Sequence, residues 1–223
     1  MKDKWVQNNP DPENNTIATI LKNEEGLIIG EVHSDDAARK QVIENLDNFV
    51  GMGVKSVYLE AIRSDYQSMV DDYLKLDGEL SPELQRFLIN KTKKDNYSYL
   101  DLLKAIKAKN NKEQADIRVI GIDSPAASTR PYSSVADRER AREATMNIYA
   151  MKVIKDSQNS GKYIALVGNA HLETQTDKTD KEEDKNTLGF DKGVPGLSEM
   201  LSVPAVAIRT EVKMNFNFGQ KGE

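Results

Sequence analysis

The sequence predicts an α/β fold with a mainly parallel central sheet, helices on both faces and a helical insertion. Short runs of consecutive apolar and β-branched residues alternate with stretches whose apolar residues recur at helical spacing. Unbroken apolar runs are typical of strands buried on both faces of a parallel sheet. Alternation of strands with helices favours right-handed crossovers between parallel strands. At 223 residues, we expect a single domain over residues 1–223 with enough chain to bury a core.

The elements before the insertion follow from their composition. Residues 1–16 are polar and rich in Asn, Asp and Pro, which predicts an irregular arm. A strand is predicted at 27–32, where the run Leu-Ile-Ile-Gly-Glu-Val is mostly apolar. A helix capped by Ser34 follows it. A second strand at 56–60 leads into an amphipathic helix over 65–76.

Two helical stretches then follow with no strand between them, so a helical insertion is predicted at 78–110. Residues 174–187 are almost wholly polar and charged, which predicts a flexible loop. The other elements are predicted in this order: strand 117–122, helix 135–156, strand 163–167, helix 193–201 and strand 205–209.

Composition excludes several classes of protein and site. The chain has no cysteine, which removes disulfides, thiolate metal sites and cysteine nucleophiles. Its 31 basic and 36 acidic residues give a net charge of −5, so no basic surface for nucleic acid is predicted. No run approaches the roughly 18 apolar residues of a membrane span, and the polar N-terminus lacks the apolar core of a signal peptide. We therefore expect a soluble chain, either a cytoplasmic protein or a piece of a longer secreted one.

Both histidines of the chain fall where a predicted strand ends. His33 follows the first strand and His171 follows the fourth. In open parallel sheets the ligand crevice lies outside the carboxyl ends of the strands, so the two imidazoles are expected at one edge of the sheet. A single histidine at such a place is as readily a helix-capping residue, but two at one edge favour a functional site.

Acidic side chains lie at the ends of the first three predicted strands. Glu31 lies two residues before His33, and Glu60 ends the second predicted strand. A buried carboxylate at such a place is costly unless a cation, a metal ion or a histidine is its partner. Asp123 and Ser124 follow the third strand and are candidates for substrate binding, although a turn explains them equally well.

Two arginines are candidates for binding the carbonyl or an anionic group of a substrate. Arg63 comes soon after Glu60, and Arg142 lies four residues before Met146, on the stripe of the long helix that becomes apolar. A solvated helix face with pairs at i and i+4 is the commoner meaning of the charge run around Arg142.

Two Glu and two His at one crevice support three chemistries. They can bind a divalent metal ion that activates water. They can act without metal, as a histidine base oriented by a carboxylate, or they can ligate a larger cofactor such as haem. A serine nucleophile is disfavoured, because no Gly-x-Ser-x-Gly sequence follows a predicted strand. The residues by themselves leave all three chemistries open.

The order and spacing of these motifs resemble a known superfamily, that of the erythromycin esterases, the ChaN-type haem-binding lipoproteins and the Tiki/TraB proteins. The resemblance covers about residues 26–209. Related domains occur in large Gram-negative toxins and secreted effectors, so it implies that origin for this chain. The motifs are Gly30-Glu31-Val32-His33, Leu59-Glu60, Arg142-Glu143-x-x-Met146, Val167-Gly168-Asn169-Ala170-His171-Leu172 and the segment 193–201.

The resemblance implies a shared site of Glu31, His33, Glu60 and His171. Tiki-like members are metal-dependent proteases, which would make His33, Glu60 and His171 ligands of manganese, cobalt or zinc. Erythromycin-esterase-like members hydrolyse a lactone without metal. Haem is less favoured, because this chain lacks a lipoprotein signal and shows no identifiable haem-ligating Tyr. Glu31 also stands where Tiki-like proteins usually carry a small hydroxyl residue.

We therefore expect a hydrolase of the esterase or peptidase type, acting on a small-molecule or peptide substrate and serving as a domain of a bacterial toxin or effector. His33 or His171 would activate water, while the two Glu residues would orient the histidines or bind the cation. Arg63 or Arg142 would polarise the substrate carbonyl. The alternative is a non-enzymatic module that binds haem or a host protein.

Overall fold

The computed structural model describes residues 16–32, 35–91, 97–125, 135–158, 161–172 and 195–209, with the helix backbone alone over 135–144. Short 3-10 helices at Ser64–Tyr66 and Asn169–His171 follow the second and fourth strands. The other elements of these ranges are, in chain order, α1 (Thr16–Asn23), β1 (Gly26–Glu31), α2 (Ala37–Glu44), α3 (Leu46–Gly51), β2 (Val54–Arg63), α4 (Gln67–Leu74), α5 (Pro82–Lys91), α6 (Tyr99–Glu113), β3 (Arg118–Asp123), α7 (Val135–Ser157), β4 (Lys162–Gly168), α8 (Leu197–Leu201) and β5 (Ala205–Ile208).

The five strands form one sheet in the order β3-β2-β4-β1-β5. Every pair of neighbouring strands is parallel, which confirms the predicted fold class. Strand β4 lies at the centre, with β2 on one side and β1 on the other. The carboxyl ends of all five strands therefore lie at the same edge of the sheet, called the carboxyl edge below.

Side chains along each strand alternate between the two faces of the sheet and build two separate cores. On one face, Leu27, Ile29 and Leu59 pack with the helices from α1 to α6. On the other face, Ile28 and Tyr58 pack with α7 and α8. Burial of each large aliphatic side chain stabilises the fold by about 1.5–3 kcal/mol. Helices thus cover both faces, as predicted.

Helix α1 was not predicted from the sequence. The predicted irregular arm over 1–16 lies outside the described residues except for Thr16, which is the first residue of this helix. Ile17 and Leu21 of this helix are buried against the sheet. Their spacing of four residues is the signal for an amphipathic helix.

The single helix predicted after β1 is in fact two helices. Its predicted cap, Ser34, lies outside the described residues, and α2 begins at Ala37, whose backbone N–H donates to Asp35 Oδ1 at 2.8 Å. The break between α2 and α3 falls at Asn45. There the side-chain Nδ2 donates to the carbonyl of Gln41 at 2.9 Å, and such side-chain bonds compete with regular helix geometry.

Helices α5 and α6 occupy the segment for which a helical insertion was predicted. Pro82 is the first residue of α5, and α6 begins with a capping box in which Ser98 and Asp101 each accept from the other's backbone N–H. Both helices contribute to the core on the α1 to α6 face. The predicted loop at 174–187 lies outside the described residues. In the described part of the chain, no helix has the length and apolar character that crossing a membrane requires.

Gly30 allows β1 to pack closely against the segment that follows β4. A Cβ atom at Gly30 would lie 2.4 Å from both Asn169 Oδ1 and Leu172 Cδ1, so Gly30→Ala must displace these two side chains, which flank His171. We expect the free energy of unfolding to fall by about 1–3 kcal/mol, measured by urea denaturation. Gly51→Ala is the matched control, because a Cβ atom there meets nothing within 4 Å. An equal loss in both variants would contradict this explanation.

Candidate active site

The sheet brings Glu60, near the end of β2, into contact with His171, just after β4. Glu60 Oε1 lies 3.4 Å from His171 Nε2, and the two side chains are 13% and 11% exposed. The other carboxylate oxygen, Oε2, accepts a hydrogen bond from the backbone N–H of Gly168 at 2.5 Å. Because Gly168 is the last residue of β4 and His171 follows in the next turn, the backbone of β4 holds the carboxylate beside the imidazole.

Glu60 lies where the pairing of β2 with β3 becomes irregular. The ladder between β2 and β3 is regular as far as Leu59, after which three residues of β2 lie opposite a single residue of β3 before pairing resumes at Arg63. Bulges of this kind often re-aim a side chain beside an active site. Tyr58 faces the side of the sheet that α7 covers. Glu60, two residues further, points the same way and meets His171 there.

Asn147 of α7 binds the other nitrogen of the His171 ring. Its Oδ1 lies 2.6 Å from His171 Nδ1, and its Nδ2 donates to the carbonyl of Pro195 at 2.8 Å. A carbonyl can only accept, so this second bond fixes the orientation of the amide and makes Oδ1 the acceptor for the imidazole. His171 therefore carries a proton on Nδ1 and presents Nε2 to Glu60.

The contact between Nε2 of His171 and Oε1 of Glu60 requires a proton. An unprotonated ring nitrogen facing an ionised carboxylate would be repulsive, whereas a proton on either atom makes the contact a charge-assisted hydrogen bond. The separation of 3.4 Å exceeds that of an ideal hydrogen bond. The pair can therefore hold a proton and transfer it, as a general acid–base group must.

Glu31 lies at the same edge but points to the opposite face of the sheet. It follows Leu27 and Ile29 in the alternation of β1, and its Oε2 accepts from Arg39 Nη1 at 2.9 Å. Both side chains are buried, at 3% and 1% exposed. The structure thus provides a histidine as a partner for Glu60 and a cation as a partner for Glu31.

Two of the predicted site residues cannot be placed. His33 lies outside the described residues, so its role as a catalytic residue and metal ligand stays a prediction. Arg142 belongs to α7, but its side chain is not among those described, so its contact with a substrate also stays a prediction.

The predicted substrate-binding residues Arg63, Asp123 and Ser124 lie at the ends of β2 and β3. Asp123 and Ser124 are buried, and Asp123 is the register partner of Arg63. The guanidinium of Arg63 binds Asp65, with Nε at 2.9 Å from Oδ1, and lies over the ring of Tyr66. These hydrogen bonds raise the pKa of Arg63 and lower the pKa of Asp65. A substrate would have to compete with Asp65 for this guanidinium.

The predicted metal ligands are His33, Glu60 and His171, of which the last two are in contact. In the ranges that the structure describes, no group of three or more His, Asp or Glu side chains is arranged to hold a metal ion. Glu60 Oε2 is bound by the backbone of β4 and His171 Nδ1 by Asn147. A metal site would therefore depend on His33 as the third ligand.

Two residues of this region, Asn147 and Arg39, were not predicted, although each carries a signal in the sequence. Asn147 lies three residues before Ala150 and seven before Ile154, on the buried stripe of α7. Arg39 likewise lies three residues before the buried Val42 of α2. A polar side chain on a buried helical stripe needs a polar partner, so such a position points to a buried polar contact.

No protein-family model matches the chain. Over 194 residues, or 86% of its length, it is 30% identical to the multifunctional-autoprocessing repeats-in-toxin of Vibrio vulnificus. It is also similar to RRSP, a MARTX toxin effector domain from Vibrio vulnificus CMCP6, with a TM-score of 0.68 and 26% identity over 87% of this chain. The chain is homologous to a bacterial toxin effector domain.

The chain spans 3% of the length of the toxin that it matches and 35% of the RRSP structure. It shares its fold with the haem-binding ChaN of Campylobacter jejuni, at 12% identity and a TM-score of 0.51, over 88% of this chain and 86% of ChaN. The homology to the toxin supports the predicted resemblance to a domain of a bacterial toxin or effector. The likeness to ChaN is one of fold alone.

The protonation of His171 can be observed directly, because the chain has only two histidines. We expect Nδ1 to keep its proton at every pH at which the domain is folded, so that titration changes Nε2 alone. Nitrogen-15 NMR of the imidazole rings measures this, and His33→Asn assigns the signals. Asn147→Ala should release the Nδ1 proton to rapid exchange, whereas Asn48→Ala, at an exposed position of α3, should leave it unchanged. A neutral His171 ring with a bare Nδ1 would contradict the assignment.

Proposed function

We propose that this chain is a hydrolase effector domain whose Glu60–His171 pair activates water to cleave a peptide bond in a host protein. The observation that carries the proposal is the contact of 3.4 Å between Glu60 Oε1 and His171 Nε2. It lies at the carboxyl edge, where open parallel sheets bind their ligands. Homology to a bacterial toxin effector domain supports a target in a host cell.

The Glu60–His171 pair, with its shared proton on His171 Nε2, is the general acid–base group of the proposed reaction. The Glu60 carboxylate takes a proton from water while the water oxygen attacks the carbonyl carbon, and a tetrahedral intermediate forms. Asn147, bound to Nδ1, keeps the His171 ring in the orientation that presents Nε2. The Nε2 proton of the imidazolium then passes to the leaving nitrogen, and the proton on Glu60 restores the imidazolium. The C–N bond breaks, and a carboxylic acid and an amine are released.

Water is the proposed nucleophile because the chain has no cysteine and no predicted strand is followed by a serine elbow. Arg142 is the proposed donor to the substrate carbonyl, since the Arg63 guanidinium is already bound by Asp65. His33 is proposed as a second acid–base group, on the strength of the motif order that the superfamily shares. The further residues proposed to contact substrate are Arg63, Asp123 and Ser124.

New protein N termini in a eukaryotic cell lysate test the proposed function. After incubation with the purified chain, we expect labelled N termini that untreated lysate lacks, identified by mass spectrometry. Glu60→Gln and His171→Asn should each slow their formation by about 100- to 10,000-fold, the usual contribution of a general acid–base group. Both variants should remain folded, as judged by circular dichroism.

Glu44→Gln is the matched control for Glu60→Gln, because Glu44 lies on the surface of α2 with its side chain 46% exposed. It should cleave at the rate of the unaltered chain. A lysate without new N termini, or cleavage that persists in both site variants, would overturn the proposed function. The former result would favour a module that binds a host protein.

Metal analysis separates the proposed base from a metal-activated water. We expect full cleavage activity after dialysis against a chelator, because the Glu60–His171 contact supplies the base by itself. The measurements are metal content and the rate of N-terminus formation. Stoichiometric manganese, cobalt or zinc that His171→Asn loses, with activity restored only by that metal, would replace the proposal with a metal site of His33, Glu60 and His171.

A further inference from the structure

Arg39 of α2 is the most deeply buried charged side chain of the described residues, at 1% exposed. Its guanidinium donates from Nη1 to Glu31 Oε2 at 2.9 Å, at the end of β1. Nε donates to the carbonyl of Tyr97 at 2.7 Å, just before α6, and Nη2 donates to the carbonyl of Asp35 at 3.1 Å, just before α2. The guanidinium carbon also lies 4.7 Å from the centre of the Tyr99 ring. One side chain therefore joins the carboxyl edge to the start of α6.

These contacts use the properties that distinguish arginine from lysine. The planar guanidinium carries donors in fixed directions and packs on aromatic rings, whereas an ammonium is a compact point charge. Arg39 binds acceptors from three separate segments of the chain at the same time. A lysine at this position would keep the charge beside Glu31 but would lose the bridge to Tyr97.

Other contacts hold α6 against the first turn of α2. The backbone N–H of Tyr97 donates to Asp36 Oδ2 at 3.3 Å, and Lys40 Nζ lies 5.7 Å from the centre of the Tyr97 ring. Both partners flank Arg39 in the sequence. The start of α6 is therefore fixed to the same turn of α2 that carries Arg39.

Helix α5 is attached to the carboxyl edge on the other side of β4. The ring of Phe87 stacks on Tyr66, with centroids 4.1 Å apart and planes at 19°. Tyr66 follows β2 closely, six residues after Glu60. The two helices of the insertion thus contact the segments that follow both of the strands bearing the site carboxylates, α5 at β2 and α6 at β1.

We propose that Arg39 is a positioning residue that couples the α5–α6 insertion to Glu31 at the carboxyl edge. A displacement of α6 moves the Tyr97 carbonyl and the Tyr99 ring, and through the guanidinium it moves the Glu31 carboxylate. The consequence for catalysis rests on the proposed function, in which His171 is part of the active site: Gly30, next to Glu31, packs on Asn169 and Leu172, which flank His171.

Hydrogen exchange tests the coupling independently of any activity. In purified Arg39→Lys, we expect amide exchange at residues 30–32 and at 99–103 to speed up together, while exchange in β4 stays unchanged. Tyr99→Leu, which removes the ring under the guanidinium, should act in the same way. Tyr99→Phe keeps the ring and should exchange like the unaltered chain. Faster exchange in only one of the two segments would overturn the coupling.

The lysate assay tests whether catalysis uses this coupling. Arg39→Lys and Tyr99→Leu should slow the formation of new N termini by on the order of 100-fold, the cost of a small misplacement of catalytic groups, at a temperature at which both variants are folded. Tyr99→Phe, which keeps the ring, should cleave at the rate of the unaltered chain. Arg86→Lys is the control, because among the described residues this exposed arginine of α5 binds across its own helix alone, to the Pro82 carbonyl.

The two proposals fail in different ways. Faster exchange at both segments with an unchanged cleavage rate in Arg39→Lys would overturn the positioning role, while the loss of activity in Glu60→Gln would still support the hydrolase. Full activity of Glu60→Gln would overturn the hydrolase and, with it, the catalytic consequence of Arg39. Equal effects of Tyr99→Phe and Tyr99→Leu would show that the ring contact does not position Glu31.

Discussion

The central position of β4 in an all-parallel sheet determines the rest of the structure. Parallel neighbours place every strand's carboxyl end at one edge, and β4 has β2 on one side and β1 on the other. The turn that carries His171 therefore emerges between the strands that carry Glu60 and Glu31. The same topology places α7 on the face that Glu60 shares with Tyr58, so this helix can supply Asn147 to the imidazole.

Side-chain alternation then divides the carboxyl edge into two halves. Glu60 points to the α7 face and is held by His171 and the β4 backbone. Glu31 points to the α2 face and is held by Arg39. The partner of Glu60 thus comes from the neighbouring strand and the turn after it, and the partner of Glu31 comes from the helix on its own face. The acid–base pair and the ion pair are thus consequences of one pleated sheet, and the α5–α6 insertion contacts the edge beside both.

The sequence predicted the strands well, because strands depend on local signals, and it placed Glu60 and His171 at the same edge of the sheet. Unbroken apolar runs identified the strands, so that the first, predicted at 27–32, forms at Gly26–Glu31. The rule for strand ends then grouped the polar residues that follow them. Helix breaks were less predictable, since the one at Asn45 arises from a side-chain bond to the Gln41 carbonyl and not from periodicity. Asn147 and Arg39 were missed because strand order, which periodicity does not encode, decides which helix meets which strand end.

The buried polar groups at the carboxyl edge fix the directions of side chains more than they stabilise the fold. Desolvation makes a buried ion pair such as Glu31–Arg39 a weak source of stability, and apolar replacements of such pairs are often neutral or stabilising by about 1–4 kcal/mol. Six of the seven buried polar or charged side chains of the described residues nevertheless lie at or against this edge. Ser56, near the start of β2, is the seventh. An apolar cluster would hold the sheet at least as firmly, but it would not fix the direction of a carboxylate and an imidazole. The six residues are Glu31, Arg39, Asp123, Ser124, Asn147 and His171.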